Sequence, residues 1–201
     1  IALEPESQNC EAILQAWYPG QAGGQAVAEV LFGDYNPAGK LPLTFYRNLA
    51  QIPDFEDYNM TGRTYRYMKE TPLFPFGHGL SYTTFKYGKL KMNDDKIAAG
   101  QNLNLAIPVT NTGSRDGDEV VQVYLKKMDD TEGPVKTLRA FKRVRIPAGK
   151  TVEVKFSLDD TQLEWWDEQS NTMRVCPGNY TVMIGGTSCE KSLLSRAFTI
   201  R

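Results

Sequence analysis

The stretch that decides the fold is PLFPFGHGLSYTTF, residues 72–85. It is too apolar and aromatic for a free linker, yet its proline and glycine spacing is incompatible with a helix or a central strand. Helical and loop-rich sequence precedes it, and short alternating segments follow it. We interpret residues 72–85 as a rigid connector that packs onto a surface and holds one domain against another.

Downstream of the connector, apolar residues recur with a period of two. The alternating segments lie at residues 103–109, 121–125, 152–158 and 180–184, and turn-forming clusters separate them. About seven short strands with this spacing are typical of an antiparallel β-sandwich of immunoglobulin-like size. The pattern therefore predicts a mainly β fold. Because Pro108 lies inside one strand, we expect that strand to be at an edge or to carry a bulge there.

The segment upstream of the connector has a different pattern. An apolar run at residues 12–18, bounded by Pro19-Gly20, predicts a buried strand. Residues 25–32 have apolar side chains at helical spacing, and Gly33 stands where a helix C-cap is expected. One strand, one short helix and long loops cannot close a core, because each apolar face needs a partner face. We therefore expect this segment to be the end of a larger α/β domain whose earlier portion is missing.

The composition argues against several classes of function. The 23 basic and 24 acidic residues are nearly balanced, which does not favour nucleic-acid binding. No apolar run approaches the roughly 18 residues of a membrane span. Three cysteines do not make a disulfide framework, so we expect free thiols. With one histidine and no metal-ligand spacing we expect no zinc site, and we expect no cofactor. The chain opens at Ile1 without a signal segment, and we expect a processed or excised piece.

Neighbouring acidic residues are the first candidates for acid/base catalysis. Such groups occur at residues 4 and 6, 56 and 57, 129 and 130, and 159 and 160. The first two are in polar loops, where carboxylates are ordinarily solvated, and the last two are at strand ends, where turn chemistry accounts for them. A catalytic acid needs a pocket that raises its pKa, and nothing in these contexts supplies one. We assign no catalytic residue to this chain.

Aromatic and basic residues around the connector favour contacts between domains. Arginine stacks on aromatic rings or clamps a carboxylate, and we favour interdomain packing over sugar contact for the run at residues 63–67. His78 lies between two glycines with no nucleophile context, so we favour a structural role over general-base chemistry. The candidate interface residues are Arg63, Tyr65, Arg66, Tyr67, Phe76, His78 and Tyr82.

Two further motifs have structural explanations. The glycine-rich residues 20–24 lack the GxxxxGK[ST] phosphate-loop pattern, so we expect them to form a tight turn before a helix. Trp165-Trp166 could suggest a carbohydrate platform, but adjacent strand residues face opposite ways. We therefore expect one tryptophan in the core and the other partly exposed.

Several motifs resemble the C-terminal part of glycoside hydrolase family 3 enzymes, in family order over nearly the whole chain. They are AWYPGQAGG at 16–24, VLFGDYNPAGKLP at 30–42, YRY at 65–67, PLFPFGHGLSY at 72–82, EVVQVY at 119–124 and LRAFKRV at 138–144. The resemblance implies three parts. Residues 1–71 would be the C-terminal part of an α/β sandwich domain, 72–85 the connector, and 86–201 a fibronectin type III-like β-sandwich.

The same resemblance implies an exo-acting, retaining β-glycosidase, a β-glucosidase or β-xylosidase of plant-type oligosaccharides. Such enzymes use two carboxyl groups about 5–5.5 Å apart. In this family the nucleophile lies in an N-terminal barrel and the acid/base in or near the α/β sandwich, and both normally precede the region that this chain covers. We expect a scaffold whose partner is the N-terminal catalytic portion of a parent enzyme, which binds the oligosaccharide, in the periplasm or outside the cell. The alternative is a non-catalytic carbohydrate-binding or interaction module.

Overall fold

The alternating segments of the sequence form two facing β-sheets. The computed structural model describes residues 3–201. Its strands, in chain order, are β1 Phe85–Tyr87, β2 Lys91–Met92, β3 Lys96–Ile97, β4 Leu103–Asn111, β5 Gly117–Lys127, β6 Thr137–Ile146, β7 Thr151–Leu158, β8 Trp165–Asp167, β9 Thr172–Arg174, β10 Gly178–Gly185 and β11 Leu194–Ile200.

The sheets are antiparallel apart from one short contact. In the first sheet β4 is central, with β7 along one edge and β1 and β2 along the other. The second sheet has the order β3-β11-β10-β5-β6, in which only β3 and β11 run parallel among the described residues. Strands β8 and β9 pair as a separate hairpin. This arrangement confirms the predicted mainly β sandwich.

The core lies between the two sheets and follows the period of two. Along β4, Leu103, Leu105, Ile107 and Val109 are buried, while the residues between them are more exposed. Equivalent buried positions come from β5, β7 and β10, including Val121, Val123, Leu125, Val154, Leu158, Tyr180, Val182 and Ile184. Burying a large aliphatic side chain contributes about 1.5–3 kcal/mol, so this stripe is the main source of stability of the sandwich.

The expectation that the strand containing Pro108 lies at an edge or carries a bulge is only partly correct. The strand is central, so the predicted edge position is wrong. The predicted irregularity exists, but it lies between the neighbouring strands β1 and β2. Tyr87 pairs with Val109 and Lys91 with Ala106, so residues 88–90 oppose only two residues of β4. The nitrogen of Gly88 donates to the Pro108 carbonyl at 2.8 Å. The missing proline N–H therefore falls where the partner strand is already interrupted.

Helices occur mainly before the sandwich. The α-helices are α1 Glu4–Asn9, α2 Gly23–Phe32, α3 Thr64–Tyr67 and α4 Asp160–Leu163, and Leu49–Gln51 and Glu190–Ser192 form 3₁₀ turns. Helix α2 was predicted, and Gly33 ends it with φ of 82° and an N–H bonded to the Val30 carbonyl. Helices α1 and α3, by contrast, were missed, because six and four residues are too few to show helical periodicity. Glu4 and Glu6 therefore lie on a short helix and not in the expected polar loop.

The predicted buried strand at residues 12–18 is wrong. These residues are exposed and form no strand. Tyr18 is fully exposed to solvent and Trp17 is 49% exposed. A strand must pair its backbone N–H and C=O groups with neighbouring strands, and the described residues supply no partner there. The expected turn before α2 does form, since the Gly23 nitrogen donates to the Gly20 carbonyl at 2.9 Å.

The connector is neither a helix nor a central strand, as its proline and glycine spacing predicts. Residues 72–84 form turns and a single bridge between Phe74 and Phe45, with no helix, and β1 begins at Phe85. Backbone hydrogen bonds of 2.8 Å link Leu41 to both Gly77 and His78. The connector therefore lies against the preceding segment on one side, and on the other side it meets the sandwich.

Candidate functional site

The connector and α3 place aromatic rings on the sandwich. Tyr65 stacks on Phe76 with ring centroids 4.2 Å apart and meets the fully buried Tyr124 of β5 edge-on at 5.9 Å. The Tyr65 hydroxyl also accepts a hydrogen bond of 3.2 Å from the Leu138 backbone nitrogen. These contacts join α3, the connector, β5 and β6 in one cluster.

The connector backbone also approaches β5 and the chain after β10 closely. The Phe76 carbonyl accepts a hydrogen bond from the Ser188 nitrogen at 3.0 Å. The Gln122 side-chain amide donates to the carbonyls of Gly77 and Gly186 at 3.3 and 2.7 Å. Gly77 has φ of 77°, and a Cβ there would lie 2.1 Å from Gln122 Oε1. Both the backbone conformation and the close approach therefore favour glycine at position 77.

A buried polar cluster lies beside this contact. Lys40 Nζ is 3.3 Å from Glu119 Oε1 and donates to the Gly79 carbonyl at 3.1 Å. The Tyr87 hydroxyl donates to the same Glu119 oxygen at 3.2 Å. The Glu119 side chain is only 6% exposed. Burial raises the pKa of Glu119 while Lys40 opposes that shift, and burial also raises the pKa of Tyr87, which keeps its hydroxyl protonated.

Tyr82 contacts both sides of the connector. Its hydroxyl donates to the Val30 carbonyl at the end of α2 at 2.6 Å, and its ring lies under the Arg115 guanidinium at 5.6 Å. Asn36 accepts from the Tyr82 nitrogen at 2.8 Å and donates to the Asp116 carbonyl at 2.9 Å. The Asn36 amide thus links the turn after α2 to the loop between β4 and β5.

The other candidate interface residues act more locally. His78 stacks on Phe74 at 5.3 Å, and burial, followed by the charge of Lys40, lowers its pKa. Arg63 donates to backbone carbonyls of its own loop, among them that of Asn59 at 2.9 Å. Tyr67 lies under the guanidinium of Arg66 at 5.6 Å.

Sequence reasoning missed the polar cluster. Lys40 and Glu119 were noted only as members of family-like motifs, at residues 30–42 and 119–124. The signal for Glu119 is its position two residues before Val121 and four before Val123, which places it on the inward side of β5. A carboxylate at an inward position needs a partner, which Lys40 supplies.

The acidic groups do not form a catalytic pair. Asp57 is only partly exposed, and hydrogen bonds from Asn59 lower its pKa. Asp159 caps α4, and hydrogen bonds from Thr161 lower its pKa. Asp129 accepts from the Asn179 nitrogen at 3.0 Å, and Asp130 accepts from the Trp165 indole at 2.6 Å. A general acid needs a raised pKa in an enclosed pocket, so turn and capping roles explain these carboxylates.

Other sequence-based expectations concern stacking platforms, thiols and membranes. Trp165 is 3% exposed and Trp166 50% exposed, as predicted. Cys10, Cys176 and Cys189 are free thiols. Within residues 3–201, no three or more histidine, cysteine or acidic side chains are placed to hold a metal ion. Over the same range, no helix is both long and apolar enough to cross a membrane.

Comparison with known proteins finds two domain types. Residues 1–82 match the glycosyl hydrolase family 3 C-terminal domain, and residues 119–188 match the fibronectin type III-like domain. The xylan 1,4-β-xylosidase of Xylanibacter ruminicola is 52% identical over 200 residues, covering 100% of this chain and 23% of that protein. The periplasmic β-glucosidase of Salmonella typhimurium is 39% identical, covering 94% of this chain and 26% of that protein.

Solved structures agree with these matches. A family 3 β-glucosidase from Bifidobacterium adolescentis superposes with a TM-score of 0.85 at 29% identity, covering 100% of this chain and 31% of that one. A β-glucosidase from Erythrobacter marinus superposes with a TM-score of 0.83 at 39% identity, covering 97% of this chain and 26% of that one. The chain spans about a quarter of the length of the curated relatives that it matches. It therefore belongs to glycosyl hydrolase family 3, as the C-terminal part of such a protein.

Proposed function

We propose that this chain is the scaffold part of an exo-acting, retaining β-glycosidase. The enzyme would be a β-glucosidase or a β-xylosidase that hydrolyses plant-type oligosaccharides. The catalytic residues would lie outside these 201 residues. Relatives named β-xylosidase and β-glucosidase support the activity. One observation carries the scaffold role: 15 of the 20 large exposed hydrophobic residues in the described part of the chain precede residue 83.

The 15 large exposed hydrophobic residues that precede residue 83 define the candidate partner surface. Phe32 at the end of α2 is 85% exposed, and Phe55 and Tyr18 are 93% and 102% exposed. Apolar patches of more than a few hundred Å² are uncommon on isolated soluble proteins and indicate a binding surface. We propose that the N-terminal catalytic portion of the parent enzyme covers this surface, and that the oligosaccharide is bound through that portion.

The proposal includes a division of the chain. Residues 1–71 would complete an α/β sandwich domain, residues 72–85 would connect, and residues 86–201 would brace the assembly. The seven candidate residues of the sequence analysis would serve the contact between these parts, which the stacking of Tyr65 on Phe76 and the position of Arg115 over Tyr82 support. A periplasmic or secreted location is proposed with the support of the periplasmic relative.

A non-catalytic carbohydrate-binding or interaction module is the alternative function. A sugar-binding sandwich would present a row of aromatic rings to solvent. In the described part of the sandwich, the large exposed aromatic residues are Phe141 on β6 and Trp166 on β8, which belong to different strands. The distribution therefore favours the scaffold.

Activity assays separate the two functions. The purified 201-residue chain is expected to leave nitrophenyl β-glucoside and β-xyloside intact, and a longer protein that contains it is expected to hydrolyse at least one of them. Turnover by the chain alone, in proportion to its concentration, would show that the catalytic residues are present here. If xylo- or cello-oligosaccharides bound the chain in a calorimetric titration and the longer protein were inactive, the binding module would replace the scaffold.

A further inference from the structure

Unpaired polar atoms are concentrated where α3 meets the start of β6. Among the described residues, four buried side-chain nitrogen or oxygen atoms have no hydrogen-bond partner: Arg66 Nε, Thr137 Oγ1, Arg139 Nε and Thr44 Oγ1. The first three belong to one region, because the Val135 nitrogen, two residues before β6, donates to the Arg66 carbonyl at 2.6 Å. Leaving one buried donor unpaired costs about 1–3 kcal/mol, so three unpaired atoms in one region need an explanation.

A β-bulge sets the position of Arg139. Val123 pairs with Ala140 and Tyr124 with Leu138, so Arg139 is the extra residue on β6. Its guanidinium lies over the Trp165 ring at 5.4 Å and donates through Nη2 to the Glu164 carbonyl at 2.7 Å. Bulges re-aim a side chain relative to the regular strand, and this one turns a charged group towards the edge of the core.

The two arginines at this place lack direct ion-pair partners. Neither Arg66 nor Arg139 forms an ion pair within residues 3–201. The Arg66 guanidinium donates no hydrogen bond to the described residues, and it lies over the Tyr67 ring at 5.6 Å. Burial and then the charge of Arg66 lower the pKa of Arg139, whereas the charge of Glu164 opposes that shift without forming a direct ion pair. Two partly buried cations without a hydrogen-bonded counter-charge are unfavourable.

We propose that Arg66, Thr137 and Arg139 form a binding site for a small oxyanion, a carboxylate or sulfate group. Guanidinium groups are donors only, so their partner must accept hydrogen bonds, and its negative charge offsets both cations. Their planar fork matches two oxygens of a carboxylate or sulfate, which makes these the class of ligand that arginine pairs bind best. The Thr137 hydroxyl adds a third donor. The site does not depend on the glycosidase proposal, because all three residues belong to this chain.

Sulfate is the probe that tests the site. Sodium sulfate is titrated into the ¹⁵N-labelled 201-residue chain at constant ionic strength, kept with sodium chloride, while the Nε–H resonances of both arginines and the melting temperature are followed. The expected result is a saturating shift of both resonances and a saturating rise in melting temperature. Resonances that do not move, or a melting temperature that rises linearly without saturation, would overturn the proposal.

Substitutions provide the control. Arg66→Gln and Arg139→Gln are each expected to abolish the saturating response, whereas Arg145→Gln, an exposed arginine on the same strand β6, is expected to keep it. Equal responses in all three variants would show that sulfate acts elsewhere and would overturn the proposal. If a glutamine variant fails to fold, the Nε–H titration of the unsubstituted chain decides alone.

The oxyanion has two possible sources, a free anion or a carboxylate side chain outside these 201 residues. Once the site is established, repeating the titration on a longer protein that contains the chain distinguishes them. A saturating sulfate response there assigns the site to a free anion. Loss of the response, with the Arg139 Nε–H resonance already at its bound position, assigns it to a carboxylate of the same protein.

Discussion

Lys40 Nζ lies 3.3 Å from Glu119 Oε1, and this ion pair joins the turn after α2 to the inward face of β5. The lysine side chain is 15% exposed and the glutamate 6% exposed. Because both charges have left water, each depends on the other, and on the Gly79 carbonyl and the Tyr87 hydroxyl. The pair therefore couples the stability of the sandwich to the segment that precedes the connector.

Removal of one partner tests that coupling. Lys40→Met leaves the buried Glu119 carboxylate unpaired and is expected to lower the free energy of unfolding by about 3 kcal/mol near neutral pH. The double variant Lys40→Met/Glu119→Gln is expected to recover part of this loss, because no buried charge remains. Urea unfolding measures both. Lys91→Met, which breaks an exposed pair with Glu153, is the control and should cost less than about 1 kcal/mol. Equal losses for the single and double variants would contradict the coupling.

Gly77→Ala tests the close approach of the connector to β5. The positive φ of 77° costs an alanine about 1–2 kcal/mol. The new Cβ would also displace Gln122, whose hydrogen bonds to Gly77 and Gly186 contribute about 1 kcal/mol each. Gly62→Ala is the matched control, since φ is 74° there and no atom lies within 4 Å of the added Cβ. Chemical unfolding should show a larger loss for Gly77→Ala, and equal losses would mean that Gln122 moves aside freely.

His78 predicts a pH dependence of stability. Burial and then Lys40 lower its pKa in the folded chain below the usual 6.5. Below pH 6.5 the unfolded chain therefore binds more protons than the folded one, and stability falls as the pH drops towards the folded pKa. His78 is the only histidine, so His78→Gln should flatten the dependence of the unfolding free energy on pH between about 5 and 7. Parallel curves for the two proteins would exclude this assignment.

Tyr65 tests the aromatic cluster. Tyr65→Phe keeps the stacking on Phe76 and loses the hydrogen bond from Leu138, so it should cost about 1 kcal/mol. Tyr65→Ala also removes the ring and should cost about 3–5 kcal/mol, as for other large aromatic truncations. Tyr58→Ala, at a residue that is 88% exposed, is expected to change the unfolding free energy by less than about 0.5 kcal/mol. Thermal or urea unfolding measures the loss of stability in each of the three variants. A loss for Tyr65→Ala no larger than that for Tyr58→Ala would refute the prediction.

Predictions from local patterns largely succeeded. The alternation in β4, β5, β7 and β10 and the end of α2 at Gly33 were predicted because side-chain period and capping act over a few neighbouring residues. The prediction of a buried strand at residues 12–18 failed because a strand does not depend on neighbouring residues alone. Its apolar composition suits a strand, but strand formation depends on a neighbouring strand that the described residues do not include.

The sequence by itself determined the sandwich, its inward and outward faces and the irregular connector, since these follow from a period of two and from proline and glycine chemistry. Only the tertiary structure decided that Lys40 meets Glu119, that Gln122 excludes a side chain at Gly77, and that a bulge turns Arg139 towards Trp165. These pairs are far apart in the chain. Their geometry depends on how the sheets twist and how the connector packs, which no local period of the sequence encodes.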